Sequence, residues 1–192
     1  VLKALDIDFE VIGRGERSAT AFANSIEMNV STGGIRVALN ERPAPKIAIV
    51  AVGVEQLASV ATELIESGTR SILLEKPGGL NLEQIRKLND LASVKKTDVW
   101  IAYNRRFYAS VLKAEELIAL DGGMTSVQYE FTEWSHVIRD LPDAKEIKES
   151  LFLNNSTHVV DLVFHLSGIP HNWKCWHSGT IEWHPTAARF SG

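Results

Sequence analysis

Residues 73–80 read LLEKPGGL, and the reading of this stretch decides the fold. The apolar run Ser71-Ile72-Leu73-Leu74 stops in a Glu-Lys pair, and a proline and two glycines follow at once. A plain surface turn would do with Asn, Asp or Gly. A proline after Lys76, cis or otherwise constrained, would fix the chain direction at the tip of a buried strand. Strand carboxyl ends are where ligands bind in parallel α/β sheets.

The surroundings agree with such a sheet. Upstream, KIAIVAVG (46–53) is a continuous Val/Ile/Ala run ending in Gly, the pattern of a strand buried on both faces. EQLASVATELIESG (55–68) spaces Leu57, Val60, Ala61, Leu64 and Ile65 as a helix does, and Gly68 stops it. Downstream, NLEQIRKLNDLASVKK (81–96) is an amphipathic helix with Asn81 as its cap, and DVWIAYN (98–104) is a further strand. Alternating strands and helices predict a parallel sheet covered on both faces.

The 192 residues are 45% hydrophobic, enough for one or two domains with a real core. A net charge of −4 argues against a nucleic-acid partner. The single cysteine, Cys175, excludes an intrachain disulfide and fits a reducing, cytoplasmic setting. No apolar run reaches the roughly 18 residues of a membrane helix, so no membrane partner is expected. The chain opens at VLKALDIDFEVIG, without Met.

DFEVIGRG (8–15) reads as a short buried strand, and ERSATAFANSI (16–26) as a helix with Ser18 as a plausible cap. GRGERS (13–18) nearly fits the dinucleotide fingerprint G-x-G-x-x-G, but its third position is Ser. The fingerprint also needs an acid at the end of the next strand. The next candidate, GGIRVAL (33–39), ends in Leu39-Asn40, and Glu41 lies past it. A second reading fits better: residues 8–15 are the second strand of such a domain. Its tip then reads the adenosine ribose through Gly13, Arg14, Arg17 and Ser18, with Arg accommodating a 2′-phosphate. A solvated basic turn is the plain alternative.

From about residue 107 the pattern changes. YASVLKAEELIAL (108–120) is helical, SVQYEFTEW (126–134) alternates like a half-exposed strand, and residues 135–150 are polar and irregular. NWKCWHSGTIEWHP (172–185) reads as two strands around a Ser-Gly turn, with Trp173, Trp176 and Trp183 packing the sheet. The helix NNSTHVVDLVFHLSG (154–168) is predicted to be largely buried. At about 100° per residue, Asn154, His158, Asp161 and His165 share one narrow stripe. Such a stripe must face partners, a ligand or a wet cleft. A satisfied core network is the bland alternative. The spacing of His158, Asp161 and His165 is loose for zinc and no thiolate accompanies it, so no metal is expected. His165 suits the helix C-terminal dipole.

EKP at a strand end, then YNRRF (103–107), then THVVDLVFHLSG (157–168), in this order, resemble the Gfo/Idh/MocA oxidoreductase family. The resemblance implies a Rossmann-like parallel-sheet domain over 1–105, lacking its first strand and glycine loop. A truncated α+β domain with an open, mostly antiparallel sheet would follow over 106–192. It implies NADP or NAD as cofactor, with NADP slightly favoured by Arg14. Lys76 and His158 become the acid–base candidates. Asn104, Arg106, Asn154 and Asp161 become substrate ligands or orienting groups. Ala51, Val52, Gly53 and Glu75 join the cofactor-binding residues, with Lys76 facing the nicotinamide. Many sugar-oxidising members carry Asp where Asn154 stands; Asn can orient an imidazole but cannot stabilise its charge, which shifts weight to Lys76. The expected reaction is hydride transfer between nicotinamide and a carbinol carbon of a sugar, sugar derivative or polyol. A non-catalytic sugar- or nucleotide-binding regulator of the same fold is the alternative. A homo-oligomer through the second-domain sheet is expected of the full-length protein.

Overall fold

A computed structural model of the chain describes residues 1–143, 145–181 and, for the backbone alone, 189–191. A short strand, Val11–Ile12 (β1), leads through helix Glu16–Ile26 (α1) to Val30–Ser31 (β2), which pairs with β1 in parallel. Gly34–Glu41 (α2) follows. Ile47–Val50 (β3), Val54–Glu66 (α3), Ser71–Leu74 (β4), Leu82–Lys95 (α4) and Asp98–Ile101 (β5) then form two β-α-β units. Strands β3, β4 and β5 make a parallel sheet in that order. Asn104–Phe107 is a turn of 3-10 helix before Ala109–Leu120 (α5). Two short helices, Ser135–Arg139 (α6) and Lys145–Glu149 (α7), precede the long Thr157–Ser167 (α8). Trp176–Ser178 (β6) pairs antiparallel with Arg189–Ser191 (β7).

The sheet register carries the core. Ala48, Ile72 and Val99 align across the three strands, as do Val50, Leu74 and Ile101. These two rows face α3 and α4 and pack with Leu57, Ala61, Leu64, Ile65, Leu88 and Ala92. Burying each large member stabilises the fold by about 1.5–3 kcal/mol. The intervening row, Ile49, Leu73 and Trp100, points the other way. Ile49 and Trp100 are each 54% exposed. The expectation of a strand buried on both faces is therefore corrected. Successive right-handed crossovers in one direction put both helices on the same side, and among the described residues only that side is covered.

Asn81 caps α4 as predicted, its side chain accepting from the Gln84 amide at 3.0 Å. Gly68, at φ +96°, follows α3. Ser18 is not a cap. Gly15 holds that position in α1, and the Ser18 hydroxyl, already inside the first turn, donates back to the Gly15 carbonyl at 3.1 Å. GGIRVAL is helix rather than strand. Gly33 and Gly34 take φ +95° and +78°, which breaks an extended chain, and Ile35 then packs on the α3 core while Ala38 is buried. The strand is Val30–Ser31, just before.

The second half departs further from its sequence reading. Residues 126–134 are not in a strand, because alternation makes an extended segment but a ladder needs a partner, and none of the described residues supplies one. Residues 135–150 hold two short helices where irregular chain was expected, with Ile138 of α6 buried. The helix expected over 154–168 is half-buried rather than largely buried. It begins only at Thr157, after a π-turn over Phe152–Ser156. The first strand expected within 172–185 is β6, but Trp173 lies before it and both Trp173 and Trp176 are exposed rather than packed; residues 182–185, with Trp183, lie outside the described residues. No described helix is long and apolar enough to cross a membrane.

Candidate active site

The tips of β3, β4 and β5 end level with one another, since Val50, Leu74 and Ile101 share a register. The ladder runs one step further: Glu75 N–H donates to the Val50 carbonyl at 2.9 Å and Ala102 N–H to the Leu74 carbonyl at 2.8 Å. Ala51–Gly53, Glu75–Lys76 and Tyr103–Asn104 therefore leave the sheet at one edge. The Lys76–Pro77 peptide bond is cis. Pro77, Gly78 and Gly79 are buried, while Glu75 and Lys76 are half-buried.

Lys76 reaches out of the first half of the chain. Its Nζ donates to the backbone carbonyl of Asn154 at 2.5 Å, within the π-turn. A π-turn bonds each carbonyl one residue further along than an α-helix does, and such turns occur often at functional sites. The same turn breaks the expected stripe. The Asn154 amide is buried and donates to Ser150 Oγ at 2.7 Å and to the Ile147 carbonyl at 3.2 Å, while its Oδ1 has no partner among the described residues. Asn154 thus serves Lys76 through its main chain.

The other three stripe residues each meet a different element. The His158 ring packs edge-on against Tyr103, 5.8 Å between centroids. Asp161 takes a two-pronged bond from Arg106, Nε to Oδ2 at 2.8 Å and Nη2 to Oδ1. His165 Nε2 lies 2.8 Å from Glu115 on α5. Arg106 also sits 5.9 Å over the Tyr103 ring. Asn104 is exposed.

Electrostatics distinguish His158. Burial, then the positive charges of Lys76 and Arg105, hold its pKa below the ordinary imidazole value, against weaker upward pulls from Glu75 and Asp161. The Nδ1 of His158 is buried without a hydrogen-bond partner among the described residues. A neutral imidazole beside an ammonium group is an arrangement suited to passing a proton. Tyr103 was not singled out from the sequence, although YNRRF contained it. Burial raises its pKa, against an opposing influence of the Thr157 hydroxyl.

The residues present fit a dinucleotide in part by position and in part by chemistry. Arg14 and Arg17 are exposed at and just beyond the tip of β1 and pair with no described carboxylate. A Cβ on Gly13 would be crowded, 3.2 Å from Ala19 Cβ and 3.3 Å from Val30 Cγ1. Ala51–Gly53 are exposed. The Glu55 carboxylate lies so close over Gly53 that a Cβ would come within 2.5 Å of it. A negative group at that helix start suits ribose hydroxyls better than a phosphate. Arg14, Arg17 and Ser18 sit on the unit built around β1 and β2. Lys76, Glu75 and Ala51–Gly53 sit on the other sheet; α2 packs on α3 between the two, with Arg36 paired to Glu63 at 2.7 Å.

Residues 9–103 match a family described as an oxidoreductase family with an NAD-binding Rossmann fold. An uncharacterized oxidoreductase of Schizosaccharomyces pombe is 26% identical over 181 residues, covering 89% of this chain and 48% of that protein. The chain thus spans about half the length of that curated relative. Among solved structures, levoglucosan dehydrogenase in complex with NADH and levoglucosan is similar, with a TM-score of 0.67 at 20% identity over 83% of this chain and 45% of that one. An oxidoreductase domain protein from Kribbella flavida gives a TM-score of 0.68 at 20% identity over 84% and 44%. At such identities the likeness speaks for the fold.

Proposed function

Because the chain belongs to the Gfo/Idh/MocA oxidoreductase family, we propose that it forms the acid–base half of an NAD(P)-dependent dehydrogenase acting on a CH–OH group of a sugar, sugar derivative or polyol. The observation that carries this reading is the meeting of Lys76, from the tip of β4, with the segment that leads into α8 and His158. The nicotinamide, when bound, supplies the hydride acceptor or donor. The solved levoglucosan dehydrogenase complex supports a sugar-like substrate.

The chain's own groups would handle the proton. Lys76 Nζ has three donor positions. One is committed to the Asn154 carbonyl, which fixes the direction of the others. A substrate hydroxyl placed between Lys76 and His158 can pass its proton to the neutral imidazole, or to Lys76 as the neutral amine; as an ammonium, Lys76 can only donate, which serves the carbonyl-reducing direction. Arg106 and Asp161 satisfy each other, so their role is to hold the 104–107 turn against α8, and with it Tyr103 against His158. Asn104, exposed at the same edge, is left to meet substrate. Glu75, Ala51, Val52 and Gly53 would line the nicotinamide-ribose side, and Gly13, Arg14, Arg17 and Ser18 the adenosine side. Residues 1–105 and 106–192 would act as a cofactor unit and part of a substrate unit, the latter also the surface for self-association.

The test is turnover of the full-length protein against a panel of sugars and polyols, read by NAD(P)H absorbance, beside Lys76→Met. The variant should bind cofactor within a few-fold of wild type and lose about 100-fold or more in turnover, the scale of a lost acid–base group. Wild-type turnover in Lys76→Met would end the assignment.

A further inference from the structure

Glu133 lies on the irregular segment before α6, on neither element that carries Lys76 or His158. Its carboxylate faces the π-turn and takes donors from two successive residues. Asn155 Nδ2 reaches its two oxygens at 2.9 and 3.0 Å, and Ser156 Oγ donates at 2.7 Å. Ser156 is 2% exposed, directly precedes α8, and makes no capping bond with its own side chain. Two residues earlier in the chain, the Phe131 ring lies 6.2 Å from that of Phe152. The segment is thus seated on the turn by one apolar and one charged contact. From within, the Asn154 amide ties the turn to Ser150 and Ile147.

An α-helical register would offer the Asn154 carbonyl to the amide four residues on. A π-turn shifts that pairing by one residue, and a carbonyl has two lone pairs, one of which Lys76 Nζ uses. We propose that Glu133 is a positioning residue for proton transfer by Lys76: by clamping Asn155 and Ser156 it holds the π-turn, and so the carbonyl that aims the Lys76 amine. The proposal rests on Lys76 being the acid–base group. Its structural half stands separately from that reading.

The experiment compares Glu133→Ala, Glu133→Gln and the double variant Asn155→Ala/Ser156→Ala in the full-length protein, with Lys76→Met alongside and folding checked by circular dichroism. The first readout is the acetylation rate of the Lys76 amine by limiting N-hydroxysuccinimidyl acetate, measured by peptide mass spectrometry, which needs no turnover. Glu133→Ala should raise it roughly tenfold, the factor that one charge-assisted hydrogen bond commands. The double variant should do the same, and it decides the matter if Glu133→Ala does not fold. Glu133→Gln keeps an acceptor oxygen for both donors and should stay within about twofold of wild type. The second readout is kinetic: Glu133→Ala should lower kcat roughly tenfold and leave the substrate KM within about twofold, as loss of aim rather than of binding requires. An unchanged Lys76 labelling rate in the folded alanine variants overturns the proposal, whatever the activity. If those variants free the lysine while Lys76→Met turns over normally, the clamp stands and the acid–base reading of Lys76 falls.

Discussion

Lys76 and Asn154, 78 residues apart in sequence, are joined by a bond from the lysine Nζ to the asparagine carbonyl at 2.5 Å. It ties the tip of a parallel-sheet strand to the turn that launches α8. A backbone carbonyl cannot be protonated or lost by mutation of its side chain, so it orients an amine in both protonation states. The asparagine side chain, bonded inward to Ser150 and Ile147, keeps that carbonyl in place. The link also brings His158 into the lysine's field, which leads to the first expectation.

His158 should titrate below the ordinary imidazole range in the folded protein. Burial is the larger cause and the Lys76 charge the next. Removing that charge in Lys76→Met should move the titration upward without restoring it fully. The sign for stability follows: the unfolded chain accepts the proton at higher pH than the folded one. Stability from neutral His158 is complete above the unfolded value and is lost as pH falls through the folded one. Imidazole proton shifts recorded against pH in wild type and Lys76→Met test both statements. An unmoved His158 in the variant would remove Lys76 from its surroundings.

Arg106→Lys should cost stability although charge is conserved. The guanidinium gives Asp161 two parallel bonds, and the carboxylate side chain is only 11% exposed. Lysine can supply one point contact. The arginine side chain is 40% exposed, so the loss should be modest, about 1–2 kcal/mol. Urea denaturation measures it, and Asp161→Asn should cost at least as much. If Arg106→Lys is neutral, the two-pronged geometry contributes nothing.

Arg14→Ala should weaken NADP(H) binding more than NAD(H) binding. A guanidinium matches a 2′-phosphate and gains little from a 2′-hydroxyl. Arg14 is exposed and without a described carboxylate partner, so its removal should leave stability within about 0.5 kcal/mol. Titration of both cofactors into the full-length variant decides. Equal losses for the two would leave Arg14 a surface charge.

The parallel half was legible because periodicity, caps and glycine stops agreed over 46–104. There the main error was burial, which depends on which side the crossovers fall; the strand expected over 98–104 also stops at Ile101. Residues 33–39 misled because Ile35, Val37 and Leu39 alternate as a strand would. The left-handed Gly33 and Gly34 mattered more, and propensity does not display backbone angles. In the second half the decisive feature is a π-turn, which shifts register by one residue. Side-chain spacing alone put Asn154 on the His158 stripe; the turn carries its amide inward, and its carbonyl meets Lys76. Glu133 and Tyr103 carried no motif of their own. Their importance lies in partners more than 20 residues away.

Gly78 should be as intolerant as any residue near the site. Its φ is +92°, and an added Cβ would stand 2.8 Å from Ile101 Cδ1 and 3.7 Å from Leu74 Cδ2. Its amide donates to the Glu75 carbonyl at 3.1 Å, closing the turn that contains Lys76. Gly78→Ala therefore meets two penalties. The left-handed backbone costs about 1–2 kcal/mol for a residue with a Cβ, and crowding Ile101 adds about 1 kcal/mol or more. The two can be separated, because the nearest atom is the end of a side chain. Ile101→Val removes that Cδ1, so it should recover the crowding part when combined with Gly78→Ala and leave the backbone part. Urea midpoints of the two single variants and the double variant close the cycle. A favourable coupling of about 1 kcal/mol would show that Ile101 presses on the Lys76 turn. Strict additivity would show that the turn yields without touching it, and then Gly78 is required for its backbone angle alone.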